Sequence, residues 1–568
     1  MTEDLEALFA QAYLLQRNNE LAEAIELYKK LLRLNPEHAQ ALHFLGLAYA
    51  QKGNLQESID FLHEALKLNP DDASIHNNLA NAYKKSHQSD KAIEHYQKAL
   101  ELSPNYAQAH HNLAIVYGEQ GQYRKALEQY RSAIHAEPDF AAAHFNLGLL
   151  LLRNHELQAA KTQFKNVLAL SDGHLEANFY LGVLNLEFNL LDEAEQAFKN
   201  VLQQNEQHVE SLVNLGVIAL KRQQGQVAVD YFTKALAFDN DHVDARNNLA
   251  ATFMHYDRFE NALMHYDVLL KQDSKNIEYL YNSGVAQMAL GHLSEAIAHF
   301  EDILAQQPKH FAALSNLAAI YIRLEDKERA RALLEKALEA NPADKASRHM
   351  LHALSNDELN PKTCPEYASN LFNNYALYYD QHMNDQLAYS LPQHISRVIH
   401  QLPIEHVENA LDLGCGTGLT GVILREVSHH LTGVDIAPKM LAQAREKDLY
   451  DDLVEAELLD FLKENKQAYQ LIVAADVFPY FAELDSLFAE IQQHLSQDGF
   501  FIFSTEISAD KPWLLQSTAR FAHHPDYIQA LCAKYAFSMK QQHKIVARTQ
   551  NAAPLEEMLF VLQKPCVV

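Results

Sequence analysis

The sequence predicts two structural classes in one chain. Residues 5–344 read as an all-α stack of helical hairpins, and residues 366–568 as an α/β domain built on a doubly wound, mainly parallel sheet. The first prediction rests on a period of 34 residues that runs without insertion or deletion from Leu5 to Asp344, making ten units. The second rests on short apolar runs that alternate with helical patterns, one of which leads straight into a glycine-rich turn.

Composition narrows the function classes first. At 568 residues the chain is too long for one ordinary core. Hydrophobic residues at 48% and charged residues at 21% exclude a largely disordered chain. A net charge of −27 argues against a broad nucleic-acid-binding surface, so no nucleic-acid partner is expected. Cys364, Cys415, Cys532 and Cys566 lie far apart and form no CxxC pair, which suits a reducing cytoplasm and offers no zinc site. The N-terminal MTEDLEALFA lacks a basic segment before an apolar run, so no signal peptide is expected, and no apolar stretch is long enough to span a membrane.

Within each 34-residue unit the most uniform column is small: Ala24, Ser58, Ala92, Ala126, Ala160, Ala194, Ala228, Ala262, Ala296 and Ala330. Twelve residues earlier stands a second small column, including Ala12, Gly46, Ala80, Gly148, Gly182 and Gly284. Two such columns in register let paired helices approach closely. Large apolar side chains such as Tyr28, Tyr96, Phe164 and Phe300 follow the first column by four residues, and prolines such as Pro36, Pro70 and Pro104 mark the turns between units.

This pattern resembles the tetratricopeptide repeat. The resemblance implies a superhelical solenoid whose concave face is lined mainly by the first helix of each unit, with a protein or peptide bound in that groove. One column on this face is nearly uniform: Asn78, Asn112, Asn146, Asn214, Asn248, Asn282 and Asn316. Each amide offers a donor and an acceptor to an extended backbone, and the column is similar to the asparagine ladder of O-GlcNAc transferase. The competing reading is that these amides bridge neighbouring helices. His76, His110 and His144 recur at the same spacing, but one histidine per unit cannot converge on a metal.

The register ends after Asp344. Residues 345–355 read as a capping helix and 356–365, with Asn-Pro and Cys-Pro pairs, as a linker. Strands are expected at 410–413, 431–434, 454–458, 471–474 and 500–503, with a closing antiparallel hairpin from 544–548 and 558–562.

The chemistry is carried by Asp412-Leu413-Gly414-Cys415-Gly416-Thr417-Gly418 at the end of the first strand, with Asp435 closing the second. Glycine lets the backbone turn sharply against a ligand, and Asp435 can accept ribose hydroxyls. A dinucleotide fingerprint would need glycine at 419, where Leu419 stands, and Asp412 favours a cationic ligand end such as the amino group of methionine.

Together these residues are similar to the Rossmann-like class I methyltransferases, which use S-adenosyl-L-methionine. The nearest likeness is to bacterial methyltransferases that carry tetratricopeptide repeats and to the methyltransferase encoded in the Williams–Beuren syndrome region. The resemblance implies that Asp412, Gly414, Gly416, Gly418 and Asp435 bind the cofactor, with Ile436 and Met440 beside adenine. Glu457, where the family usually has Asp, and Leu458 would stand near the adenine amino group. Asp476 would border the reactive methyl, Tyr375 and Tyr379 would fold over the methionine end, and Arg520, His523 and Tyr527 would face the acceptor. Asp476 and His523 are the candidate bases by residue type. The expected function is methylation of a protein or peptide recruited by the repeats; the alternative is a small-molecule methyltransferase whose repeats assemble a partner complex.

Overall fold

A computed structural model describes residues 2–355, 362–550 and 553–566. The chain divides into two compact units, Met1–Ala245 and Arg246–Val568.

In the first unit helices alternate in pairs, as in Leu175–Glu187 with Leu191–Gln204. The alanine column is fully buried, and the glycines opposite it leave room for aromatic rings. A Cβ at Gly182 would stand 2.7 Å from Cε1 of Phe198, itself 0% exposed. Gly182→Ala is therefore expected to destabilise this unit by about 1 kcal/mol in urea melts, because overpacking of ~1–3 kcal/mol outweighs the gain in helix propensity.

The histidines follow the turns. His76, His110 and His144 each place Nε2 on the carbonyl oxygen of Pro70, Pro104 or Pro138, at 3.1, 2.9 and 2.9 Å. A further set, His38, His174, His208 and His242, accepts at Nδ1 from the backbone N–H three residues on, and so caps the first helix of its unit. Among the described residues no group of three His, Cys, Asp or Glu side chains could hold a metal, and no helix is long and apolar enough to cross a membrane.

The second unit holds the remaining helix pairs, through Lys327–Ala340, then the helix Lys345–Ser355 and the α/β domain. Of the linker expected at 356–365, residues 356–361 lie outside the described residues, and Pro365 opens the helix Pro365–Tyr375. The helix pairs seat directly on the domain. Lys439 pairs with Asp257 at 2.7 Å, Lys327 Nζ donates to Ser517 Oγ at 3.0 Å, and His349 Nε2 lies 3.1 Å from the Ala519 carbonyl.

The sheet contains β1 (Val407–Leu413), β2 (Ser428–Asp435), β3 (Asp452–Glu455), β4 (Tyr469–Ala474), β5 (Leu495–Ile507), β6 (Trp513–Leu515), β7 (Phe521–His523), β8 (Ser538–Gln550) and β9 (Ala553–Gln563). Its order is β3-β2-β1-β4-β5-β7-β6, parallel from β3 to β7, with β9 antiparallel to both β5 and β8. Residues along β5 alternate between two cores. Phe501 and Phe503 face one layer with Leu411, Phe478 and Phe488; Phe500 and Ile502 face the other with Leu431, Val473 and Val561. The third strand ends earlier than the sequence suggests, because Glu457 leaves the sheet to cap the helix Leu458–Glu464.

Candidate cofactor pocket

The chain order reverses between β1 and β4, which opens a crevice at the carboxyl ends of the parallel strands. A half-open cavity lies there. Its walls include Gly414, Gly416, Asp435, Ile436, Met440, Glu457, Leu458, Asp476 and Tyr379, all expected from the sequence.

The turn after β1 is built by backbone geometry. Gly414 and Gly416 have φ of 69° and 55°, a left-handed conformation that side chains resist. Gly414 N–H and Cys415 N–H both donate to the Val434 carbonyl, at 2.8 and 3.0 Å, which clamps the turn onto β2. A Cβ at Gly414 would overlap Val477, whereas one at Gly416 would meet nothing within 4 Å and would enter open space. Asp435 closes the arrangement: Oδ2 accepts from Gly416 N–H and Oδ1 from Ala437 N–H, each at 2.9 Å. Burial raises its pKa, and these backbone donors pull the other way.

Across the cavity Glu457 Oε2 accepts from Leu459 and Asp460 N–H at 2.9 and 3.0 Å, so its carboxylate is a helix cap at the pocket wall. Aromatic rings form a further wall. Phe372 and Tyr480 meet edge-on at 5.1 Å, and Tyr379 and Phe481 stand beside them. Thr363, Pro365 and Ala368 close this side, held by Thr363 Oγ1, which accepts from Ala482 N–H at 2.9 Å.

Several expected roles need correction. Tyr375 does not line the cavity; it packs on Tyr379 at 5.1 Å and bonds through its hydroxyl to His382. Asp412 lies 1% exposed beneath the turn and accepts the Tyr450 hydroxyl at 2.8 Å, so it faces the protein and not the ligand space. Gly418 is likewise turned inward, its N–H on the Cys415 carbonyl at 2.9 Å. His523, 1% exposed on β7, places Nε2 3.1 Å from the Ala482 carbonyl, and burial lowers its pKa to about 4. Tyr527 accepts from Leu484 N–H at 2.9 Å through its hydroxyl and stacks against His523. Neither of these two lines the cavity, because β7 is paired on both edges and its neighbours are core.

Asp476 does reach the cavity, but its carboxylate is already held. It pairs with Arg520 and, at 2.5 Å, with Arg548, and these charges keep its pKa below the usual range despite burial. Arg520 also contacts Glu506 at 2.5 Å, lies 5.2 Å over the Tyr480 ring and stands 3.9 Å from Glu557. Glu557 is 0% exposed, and burial raises its pKa to about 8, with Arg520 and Arg548 pulling the other way. The sequence reading missed this cluster. The available signal was Glu506 and Glu557, each beside an apolar run in its strand, where an uncompensated charge is costly.

The asparagine column is also largely committed. Nδ2 of Asn78, Asn112, Asn146, Asn282 and Asn316 each bonds to a residue of the preceding hairpin, namely His43, Asn77, His111, Tyr266 and Tyr281. Asn214 Nδ2 donates to the Glu210 carbonyl of its own helix. For Asn248 no side-chain hydrogen bond is found among the described residues, and its carbonyl accepts the Thr252 hydroxyl at 2.6 Å. The bridging reading therefore accounts for most of the amide donors, and the expected free ladder does not.

Comparison with known proteins agrees with this architecture. A family model described as a methyltransferase domain matches residues 411–501. Tetratricopeptide-repeat models match 71–135, 287–354 and four segments between 9 and 242. A malonyl-(acyl-carrier protein) O-methyltransferase of Acetivibrio thermocellus is 38% identical over 98 residues, 17% of this chain and 34% of the relative. The protein of the same name from Bacillus anthracis is 30% identical over 24% of this chain and 50% of its own length. A trans-aconitate 2-methyltransferase of Escherichia fergusonii is 32% identical over 18% and 40% respectively. The chain thus spans between a third and a half of the length of these relatives. The crystal structure of YrrB, described as a TPR protein with an unusual peptide-binding site, is 26% identical over 32% of this chain and 95% of its own, with a TM-score of 0.31.

Proposed function

Because the chain joins tetratricopeptide repeats to a class I methyltransferase domain, we propose that it transfers the methyl group of S-adenosyl-L-methionine to an acceptor carried on a polypeptide bound by the repeats. The observation that carries the cofactor assignment is the pairing of Gly416 with Asp435 at the cavity wall. Each Asp435 oxygen accepts one backbone N–H and keeps a lone pair for a ribose hydroxyl. The open space at Gly416 admits a ligand against bare backbone, and Ile436 and Met440 offer apolar surface to adenine. Phe372, Tyr379 and Tyr480 bring aromatic rings to the cavity wall, surroundings that favour a cation.

The bound sulfonium supplies an already activated methyl group. The chain's own task is then to align the acceptor and exclude water. Asp476 and His523 are not assigned as bases: one carboxylate is held by two guanidinium groups and the imidazole is turned into the core. Titrating the full chain with S-adenosylmethionine in a calorimeter is expected to give saturable binding, and NAD none. Heat from NAD alone would overturn the assignment.

The polypeptide acceptor is supported by the last helix pairs, which belong to the same compact unit as the cavity and are fastened to its domain through Asp257, Lys327 and His349. A second reading, a free small acid as acceptor, is favoured by the name of one relative, a trans-aconitate 2-methyltransferase. Incubation of the chain with methyl-labelled cofactor and a lysate separates the two. Label that stays with protein supports the first; label found only in small metabolites supports the second. All four cysteines are free, and we place the activity in the cytoplasm.

A further inference from the structure

The glycine turn is shaped from behind by a side chain to which neither the motif nor the cavity draws attention. Tyr450 lies in the loop before β3, and its ring fills a slot that exists only because three residues on three elements lack a Cβ. At Gly433 of β2 a Cβ would stand 2.8 Å from Cδ1 and Cε1 of the ring, and at Gly418 of the turn 3.2 Å from Cε2. At Gly421, which opens the helix Gly421–Val427, it would overlap the hydroxyl. That hydroxyl donates to Asp412 Oδ2 at 2.8 Å, and Asp412 is otherwise buried beneath the turn.

The loop that carries the ring is itself fastened. Arg425 pairs with Asp451 at 2.6 Å and donates to the carbonyls of Ser428 and His429, each at 2.6 Å. Asp451 Oδ2 accepts from Leu431 N–H at 2.7 Å, and Asp451 N–H donates to the Leu431 carbonyl at 3.0 Å. The ring is thus held between a pinned loop and a carboxylate at the end of β1.

We infer that Tyr450 is a positioning residue: through Asp412 it holds the 414–418 turn in its ligand-ready shape before any cofactor arrives. Asp412 then serves the turn and not the methionine amino group. A ring that only filled volume would not need its hydroxyl. Here the hydroxyl satisfies a buried carboxylate, and its removal leaves that group short of a partner. The titratable groups that face Asp412 are Tyr450, Asp435 and Cys415. Burial pushes the Asp412 carboxyl up to about 7, and the Tyr450 hydroxyl opposes this.

The inference rests on the methyltransferase reading only for its consequence in cofactor binding, so the first test uses no cofactor. Hydrogen exchange of the full chain with Tyr450→Phe is expected to speed exchange across 414–418 about tenfold while β5 is unchanged. Calorimetry is expected to show about tenfold weaker binding of S-adenosylmethionine. Gly433→Ala, which displaces the ring but keeps the hydroxyl, is expected to speed exchange at the same turn. Exchange within twofold of the parent in both variants overturns the inference. Faster exchange in a chain whose parent form binds no S-adenosylmethionine supports the positioning role and overturns the methyltransferase reading instead.

Discussion

Gly414→Ala is expected to weaken S-adenosylmethionine binding by about 100-fold while the chain still folds. Two costs add. A left-handed φ of 69° costs an alanine ~1–2 kcal/mol. The new methyl would also overlap Val477 Cγ2, and such overpacking costs ~1–3 kcal/mol. The turn can escape only by lifting away from β4, which breaks the 2.8 Å bond from Gly414 N–H to Val434 and carries Gly416 N–H off Asp435. A combined loss of about 3 kcal/mol corresponds to the 100-fold. Gly416→Ala is the informative contrast: its φ is similar, but its Cβ meets nothing within 4 Å. It should lose only the ~1–2 kcal/mol of the left-handed backbone in melts, and lose affinity through the methyl that now occupies ligand space. Val477→Ala added to Gly414→Ala should recover part of the binding, since it removes the atoms that clash. Calorimetry and thermal melts of the three variants check these expectations; affinity within threefold of the parent in Gly414→Ala would contradict them.

The difference between what could and could not be read from the sequence follows from how far apart in the chain the partners lie. The 34-residue period and the turn at 414–418 are local patterns, visible because a small residue or a glycine recurs where the backbone leaves no room. The same holds for Asp435, which follows its turn by a fixed strand length. The Asp476 cluster is different. Its members come from β5, β8, β9 and the segments after β4 and before β7, and only strand pairing brings them together. Glu506 stands directly opposite Glu557 in the β5–β9 register, an arrangement that would repel without the two arginines. Arg520, His523 and Tyr527 were expected to face an acceptor because the segment resembles one that does so in the family. The burial of His523 becomes evident only once β7 is seen paired on both edges. The asparagine column shows a further limit: spacing located it, but whether an amide faces a groove or its neighbour depends on what stands in the preceding hairpin. There a histidine, asparagine or tyrosine supplies the partner.

Asp476→Asn is expected to destabilise the second unit by about 3 kcal/mol, because removing one partner of a buried charge network leaves the others uncompensated. Asparagine keeps the volume and tolerates the positive φ of 56°, so the change isolates the charge. With Asp476 neutral, Arg520 and Arg548 retain Glu506, and Glu557, whose pKa the Asp476 charge helps to raise, compensates only by giving up its proton inside the core. Glu557→Gln should cost little at neutral pH, since the folded chain already holds that carboxyl uncharged. The two variants also part company with pH. Folded, Glu557 keeps its proton to about pH 8; unfolded, it loses it near 4.3. Between those values the folded chain binds one more proton than the unfolded, so this residue makes stability fall as pH rises. Gln has no such dependence, and urea melts should show Glu557→Gln gaining on the parent from pH 6 to pH 9. Asp476 has the opposite sign. Its pKa is held low in the fold, so its contribution is present at neutral pH and fades only as pH falls below ~3.9. A parallel pair of melt series, with Asp476→Asn uniformly weaker above pH 5 and Glu557→Gln catching or passing the parent at pH 9, would establish that the charge cluster around Asp476 at the cavity wall is kept electrically neutral by a proton on Glu557.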